Sequence, residues 1–211
     1  MRVMAAIFAL MFSLVACAAD KAPAAYQAGT HYTVLETPVR TMDPSKIEVT
    51  EVFWYGCGHC FKFEPMVHQW SEKLPGDVDF ERSPAMWNAL MEVHARAFYV
   101  AKALGVFDQV HQPLFNALNL ERKRLGNVDE LADFFADFGV DKDKFEKAYA
   151  SFGVASQVKQ ADARARSYKI TGTPEIVVDG KYRISARQAG GQAEMLKVAD
   201  YLVAKIRDER S

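Results

Sequence analysis

The feature that most constrains this 211-residue chain is a close cysteine pair in the segment Cys57-Gly58-His59-Cys60, called the CGHC motif below. The only other cysteine is Cys17, so a fold built on several disulfides is excluded. A disulfide within the motif would close a very short loop, which removes little conformational entropy from the unfolded chain. The pair is therefore a poor structural cross-link, and its spacing favours a chemical use.

Three other uses of the cysteine pair are less consistent with the sequence. Attachment of a c-type haem requires a histidine directly after the second cysteine, where this chain has Phe61. A zinc site needs two further ligands, and none of the five histidines stands at a recognisable ligand spacing from another. An unreactive pair of surface thiols is the third alternative. We therefore expect redox chemistry, with neither a metal nor a cofactor.

The N-terminal segment has the pattern of an export signal. Met1 and Arg2 precede a largely apolar run over residues 3–15, and Ala16-Cys17-Ala18 then offers a cleavage site. Residues 14–17 also resemble a lipobox, in which Cys17 becomes the acylated first residue of a lipoprotein. We predict a signal peptide over residues 1–18, or a lipoprotein signal over residues 1–16, and export in either case. The apolar run is too short to span a bilayer core, so no transmembrane helix is expected.

Composition and charge describe a globular domain with no nucleic-acid partner. Half of the residues are hydrophobic, which is enough apolar material for one sizeable core, or one core with an insertion. The 26 basic and 27 acidic residues give a formal charge of −1, so no broad attraction to phosphate backbones or anionic lipid is expected.

The segments that flank the motif explain how its chemistry could be tuned. Residues 47–54 alternate as a strand, and residues 60–74 have apolar side chains at helical spacing. Cys57 then lies at the N-terminus of a helix, where unpaired N–H groups and the helix dipole favour a thiolate. His59 adds a second cation or donor. Glu51 interrupts the more apolar face of the strand, either as a solvated carboxylate or as a partly buried proton acceptor near Cys60.

The remainder of the chain reads as a strand, a helical block, a hairpin and a final helix. Residues 78–82 are strand-like, and Ser83 with Pro84 is the pattern of a helix N-cap followed by proline. Asn127 and Glu130 resemble a capping box, and residues 156–168 predict another helix. The C-terminal part predicts a hairpin over residues 175–184 with an Asp-Gly turn, then a helix over residues 193–210.

Thr173 and Pro174 stand directly before the hairpin. A proline at the mouth of a strand must lie where its missing N–H is tolerated, and here small residues surround it. It is a candidate for a cis peptide bond in a tight turn, with an ordinary trans turn as the alternative.

The order of these elements and motifs resembles the DsbA family of bacterial periplasmic thiol:disulfide oxidoreductases. The similarity extends from about residue 29 to the C-terminus, and residues 51–64 and 170–184 carry its specific features. The resemblance implies an α/β thioredoxin fold interrupted by an inserted all-helical domain. The thioredoxin-like domain would comprise residues 29–83 and 157–211, and the inserted domain residues 84–156.

The resemblance also implies a role for each matching residue. Cys57 would be the exposed nucleophile, Cys60 its buried partner, His59 a stabiliser of the thiolate, Glu51 the buried acid and Pro174 the cis-proline facing the disulfide. The chain departs from the family pattern at two positions that bear on redox potential and substrate binding: Gly58 replaces the usual proline, and Thr173 replaces valine.

The expected activity is oxidation of reduced exported proteins by dithiol–disulfide exchange at the motif, in the periplasm. Reoxidation would come from a quinone-linked membrane protein of the DsbB type, and a monomer is expected. Thr173 would donate backbone hydrogen bonds to an extended substrate. Two alternatives stay open: a thioredoxin-like reductant or isomerase, and a non-catalytic periplasmic binding module.

Overall fold

The computed structural model describes residues 25–211, so the predicted signal segment and Cys17 lie outside the described residues. The described chain forms a five-stranded mixed sheet in the order β1-β5-β4-β2-β3. Only β2 and β3 run parallel to each other. The strands are β1 Thr33–Val34, β2 Ile47–Phe53, β3 Val78–Pro84, β4 Glu175–Val178 and β5 Tyr182–Ser185.

The helices fall mainly between β3 and β4. They are α1 Gly58–Ser71, α2 Ala89–Ala103, α3 Phe107–Asn119, α4 Val128–Ala136, α5 Lys142–Tyr149, α6 Phe152–Ser167, α7 Ala186–Ala189 and α8 Gln192–Arg210. Side-chain caps fix the starts of several of them; in α4, for example, the Asn127 side chain accepts a hydrogen bond from the N–H of Glu130. A helical segment inserted into a thioredoxin-like α/β frame confirms the expected fold class.

Two helix starts differ from the sequence-based expectation. Ser83 and Pro84 are not a helix cap, because both belong to β3, which pairs along its whole length with β2. The helix that follows is instead capped by Asn88. Ser151 caps α6, which begins earlier than predicted and runs through the predicted domain boundary at residue 156. The division into domains stays a prediction.

The predicted hairpin is confirmed, with β4 and β5 joined by a tight turn. Asp179 and Gly180 both have positive φ, at 53° and 60°, within the three-residue loop that separates the paired residues Val178 and Tyr182. Gly180 is also crowded, because a Cβ atom there would lie 1.9 Å from the carbonyl oxygen of Val39. The backbone of Val39 donates to Gly180 at 2.9 Å, which ties the N-terminal segment to the hairpin.

Two apolar clusters hold the elements together. One lies between the sheet, α1 and α8, and the other joins the end of β2 to the helical segment. Phe115 of α3 lies at this second junction, with its ring centroid 4.8 Å from that of Tyr55 and 5.8 Å from that of Phe53. The residues around the CGHC motif are therefore packed against both parts of the fold. Among residues 25–211, no helix is long and apolar enough to cross a membrane.

Phe115→Ala should lower the free energy of unfolding by about 3–5 kcal/mol, because it leaves a cavity at this junction. Phe152→Ala is the matched control, since its side chain is 88 % exposed, and should change stability by less than about 0.5 kcal/mol. Urea unfolding of both variants measures the difference. Equal losses would contradict the packing described here.

Candidate active site

The CGHC motif lies where β2 leaves the sheet and α1 begins. Cys57 is the N-cap residue of α1, and its backbone N–H donates to the carbonyl of Trp54 at 3.0 Å. Cys57 is partly exposed, whereas Cys60 is fully buried on the first turn. Both thiols are free in the structure. The chain thus presents one sulfur to solvent and hides the other.

Hydrogen-bond donors surround the Cys57 sulfur and lower its pKa to about 5. The Cys60 thiol makes the largest contribution, since it donates to the neighbouring sulfur and favours the thiolate. The side chain of Thr173 and the backbone N–H groups of His59 and Cys60 act in the same direction. The expected effect of the helix N-terminus is therefore present, together with two side-chain donors, Cys60 and Thr173, that the sequence analysis did not identify.

The pKa of Cys60 is shifted in the opposite direction to that of Cys57. Burial, followed by donation to Cys57 and the charge on that residue, raises the pKa of Cys60 far above its ordinary range. A proton must therefore be supplied to Cys60 when it is released as a leaving group, and removed when it attacks. The two sulfurs are chemically unequal because of where α1 places them.

The predicted cis peptide bond is confirmed between Thr173 and Pro174. The carbonyl oxygen of Thr173 lies 3.4 Å from the Cys57 sulfur, so the structure brings together two segments separated by 116 positions. Glu175 braces this turn, because its Oε1 accepts from the Thr171 hydroxyl at 3.2 Å. A groove of about 320 Å³ runs beside the turn and the motif, and it is lined by His59, Thr173 and Pro174 among others.

His59 and Gly58 are both exposed at the mouth of the site. The carbonyl of His59 accepts from the Gln192 side chain at 2.7 Å, which joins the motif to the start of α8. A Cβ atom at Gly58 would lie 3.9 Å from Oδ1 of Asn119, an ordinary contact. The amide of Asn119 donates to the carbonyls of Tyr55 and Phe115, both at 2.8 Å, and so joins the end of α3 to the loop before the motif.

Glu51 is buried, which excludes the solvated-carboxylate interpretation. Burial, and then the charge of Glu64, raises the pKa of Glu51 to about 8, while the charge of Arg82 opposes the rise. Nε of Arg82 lies 3.4 Å from one Glu51 oxygen, yet neither oxygen of Glu51 has a hydrogen-bond partner. Arg82 instead donates twice to Glu64, at 2.7 and 3.3 Å.

The sequence analysis missed Glu64 and Arg82. Their signals were present, because Glu64 interrupts the apolar stripe of α1, and Arg82 lies directly opposite Glu51 in the parallel β2–β3 register. Such a register can be read only once the pairing of the strands is known.

Tyr55 and His111 are also buried here, with the Tyr55 hydroxyl 2.7 Å from Nδ1 of His111. Among the described residues, no group of His, Cys, Asp and Glu is arranged to hold a metal ion.

A thioredoxin-like sheet, a buried and an exposed cysteine at a helix N-terminus, and a cis-proline facing the exposed sulfur define a thiol:disulfide oxidoreductase. The model of the DSBA-like thioredoxin domain family matches residues 77–203. The chain is 46 % identical over 199 residues to the thiol:disulfide interchange protein DsbA of Pseudomonas aeruginosa, covering 94 % of this chain and 92 % of that protein. The DsbA of Azotobacter vinelandii is 44 % identical over 197 residues, covering 93 % and 92 % of the two chains.

Comparison with solved structures gives the same family as the comparison of sequences. The crystal structure of Pseudomonas aeruginosa DsbA superposes with a TM-score of 0.85 at 46 % identity, covering 88 % of this chain and 96 % of that chain. DsbA from Xylella fastidiosa gives a TM-score of 0.81 at 32 % identity, covering 87 % and 98 %. The chain therefore belongs to the DsbA family. It is a protein dithiol:disulfide oxidoreductase that introduces disulfide bonds by thiol–disulfide exchange.

Removing the Cys60 donor should raise the pKa of Cys57, because the Cys60 thiol makes the largest contribution to lowering it. We expect a higher thiolate midpoint in Cys60→Ala than in Cys60→Ser, whose hydroxyl can still donate to the sulfur. Absorbance of the thiolate near 240 nm, followed during a pH titration, measures both midpoints. Equal midpoints would show that the residue-60 side chain does not donate to Cys57.

Proposed function

We propose that Cys57 is the nucleophilic and leaving sulfur of the exchange reaction and that Cys60 is its resolving partner. A substrate thiolate attacks Sγ of Cys57 in the oxidised motif; the bond to Cys60 breaks, and its electron pair goes to Cys60, which takes a proton. A second substrate thiolate then attacks the substrate sulfur of the mixed disulfide, and Cys57 leaves as a thiolate. The substrate loses two electrons and two protons; the enzyme gains the two electrons and one proton, and the other proton passes to the solvent.

The single observation that carries this proposal is the low pKa of Cys57, at about 5. A stable thiolate is a good leaving group and favours the reduced enzyme, which makes the disulfide a strong oxidant. The same observation argues against a reductant, because a reducing enzyme benefits from a less stable thiolate. It argues equally against a non-catalytic module, for which this arrangement of donors would have no use.

Glu51 is proposed to exchange the proton that Cys60 requires. Its pKa of about 8 leaves it largely protonated at neutral pH, so it can supply a proton when Cys60 is released. The ionised form accepts a proton when Cys60 attacks during reoxidation. The charge of Glu51 also acts on the pKa of Cys60, which places the two groups within electrostatic reach of each other.

Thr173 and Pro174 are proposed to bind the substrate beside the exposed sulfur. The groove next to them is open to an extended peptide, which could pair with the backbone of Thr173 as an added strand. The hydroxyl of Thr173 adds a donor toward the sulfur that a valine would lack. The side chain of His59 lies at the mouth of the same groove and is proposed to favour the thiolate by its charge.

The cellular setting follows from the resemblance and from the export signal. We place the protein in the periplasm as a monomer, with an acylated Cys17 as an alternative anchor. Its substrates are reduced exported proteins, and a quinone-linked membrane oxidase of the DsbB type reoxidises it. The balanced charge of −1 supports no nucleic-acid partner.

Equilibration with glutathione tests the direction of the reaction. We expect a reduction potential less negative than about −200 mV, whereas a value near −270 mV would favour a reductant and an inert pair would favour a binding module. His59→Ala should make the potential more negative, because the thiolate loses a favourable charge. His68→Ala, which removes an exposed histidine further along the same helix, is the control and should leave the potential unchanged.

Reduction should stabilise the protein at pH 7. The pKa of Cys57 is about 5 in the folded state and about 8.5 in an unfolded chain, so the thiolate adds stability that grows with pH between these values and is lost below the lower one. Melting curves of both redox forms at pH 5 and pH 7 should show the reduced form melting higher at pH 7, with a smaller gap at pH 5. An oxidised form that melts clearly higher at pH 7 would contradict the proposed oxidant.

A further inference from the structure

Glu51 is one end of a continuous line of buried polar side chains. The buried polar line, as it is called below, comprises Tyr55, His111, Glu64, Arg82 and Glu51 in order of contact. The proposed function uses only Glu51, whereas His111 comes from α3 in the helical segment. His111 is 6 % exposed. Burying a histidine costs free energy unless its ring nitrogens have polar partners.

The contacts of His111 select one tautomer of its ring. Nδ1 lies 2.7 Å from the Tyr55 hydroxyl, and Nε2 lies 3.4 Å from an oxygen of Glu64. Burial raises the pKa of Tyr55 well above its ordinary value, so this residue keeps a proton to donate. If Tyr55 donates to Nδ1, then Nε2 carries the hydrogen on the side of the Glu64 carboxylate, where the two groups are in electrostatic contact without forming a hydrogen bond. The other tautomer would set a lone pair against Glu64 and would be repelled.

Glu64 consequently receives more positive charge and more donors than Glu51 does. Burial acts to raise the pKa of Glu64, but His111 and then Arg82 outweigh it and leave that pKa below its ordinary value. Two carboxylates share one guanidinium, so a single proton neutralises the set. With Glu64 held ionised, that proton resides on Glu51.

We propose that His111 is a positioning residue for thiol exchange, which acts through Glu64 to keep the proton of the buried polar line on Glu51. This inference rests on the proposed role of Glu51 as the proton donor to Cys60. Burial lowers the pKa of His111, which favours the neutral ring, although the neighbouring Glu64 acts in the opposite direction.

The groups around His111 are consistent with this role. Tyr55 of the loop after β2 and Glu64 of α1 contact it, whereas Arg82 of β3 and the exposed His68 of α1 act on it only through their charges. Four phenylalanine rings also lie close to the imidazole: Phe53, Phe98, Phe107 and Phe115. The apolar rings keep water away from the ring nitrogens, so the contact with Glu64 is little screened.

His111→Leu should lower the pKa of Glu51, because Glu64 loses a donor and competes better for the shared proton. We expect a fall of about one pH unit from the value near 8 in the reduced protein. His111→Gln keeps an N–H that can reach Glu64 but has no basic nitrogen, and it should restore most of the pKa. Carbon-13 NMR of the Glu51 carboxyl group, followed through a pH titration, measures all three values.

Two further variants provide a control and an independent test of the inference. His94→Leu removes another buried histidine, one that contacts Trp54 and lies outside the buried polar line, and should leave the pKa of Glu51 unchanged. Tyr55→Phe removes only the hydroxyl that selects the tautomer and should produce a smaller fall than His111→Leu. This variant also tests the inference if His111→Leu does not fold.

The outcomes separate the inference from the proposed function. An unchanged pKa of Glu51 in the His111→Leu and Tyr55→Phe variants would overturn the inference. So would a His111→Gln variant with a pKa as low as that of the leucine variant. If the pKa falls but the pH profile of oxidation of a dithiol peptide stays the same, His111 acts as proposed and the role of Glu51 in thiol exchange is wrong. A parallel shift of the pH profile supports both.

Discussion

The donation of hydrogen bonds to the Cys57 sulfur is the interaction on which the chemistry of this protein depends. These donors come from the first turn of α1, from the turn before β4 and from Cys60 itself. The turn before β4 reaches the motif because β4 pairs antiparallel with β2, which sets Glu175 opposite Val52 near the end of β2. The sheet serves chiefly to bring these separate donors to one atom.

The two cysteines of the motif have pKa values shifted in opposite directions, lowered for Cys57 and raised for Cys60. A half-exposed sulfur with several donors becomes a thiolate, whereas a buried sulfur beside it keeps its proton. The buried carboxyl of Glu51 lies on β2, beside Arg82 of β3 and within the electrostatic influence of Glu64 of α1. The fold thus supplies three different environments to three ionisable groups.

Much of this arrangement could be predicted from local sequence. The cysteine spacing, the helix that begins at the motif and the Asp-Gly hairpin all depend on near neighbours in the chain, so composition and periodicity were sufficient. The wrong prediction at Ser83 and Pro84 has a tertiary cause, because strand pairing with β2 extends through both residues. Arg82 and His111 reach the site across different elements, and periodicity carries no information about which elements become neighbours. The exposed or buried state of Glu51 was undecidable for the same reason.

The amide of Asn119 has a mechanical consequence. Its hydrogen bond to the carbonyl of Tyr55 fastens the last turn of α3 to the loop before the motif, whereas its hydrogen bond to Phe115 stays within α3. A hydrogen bond of this kind is worth about 0.5–1.5 kcal/mol, so it opposes separation of α3 from the loop beside Cys57. A displacement of α3 relative to the sheet would therefore act directly on the loop that leads into Cys57.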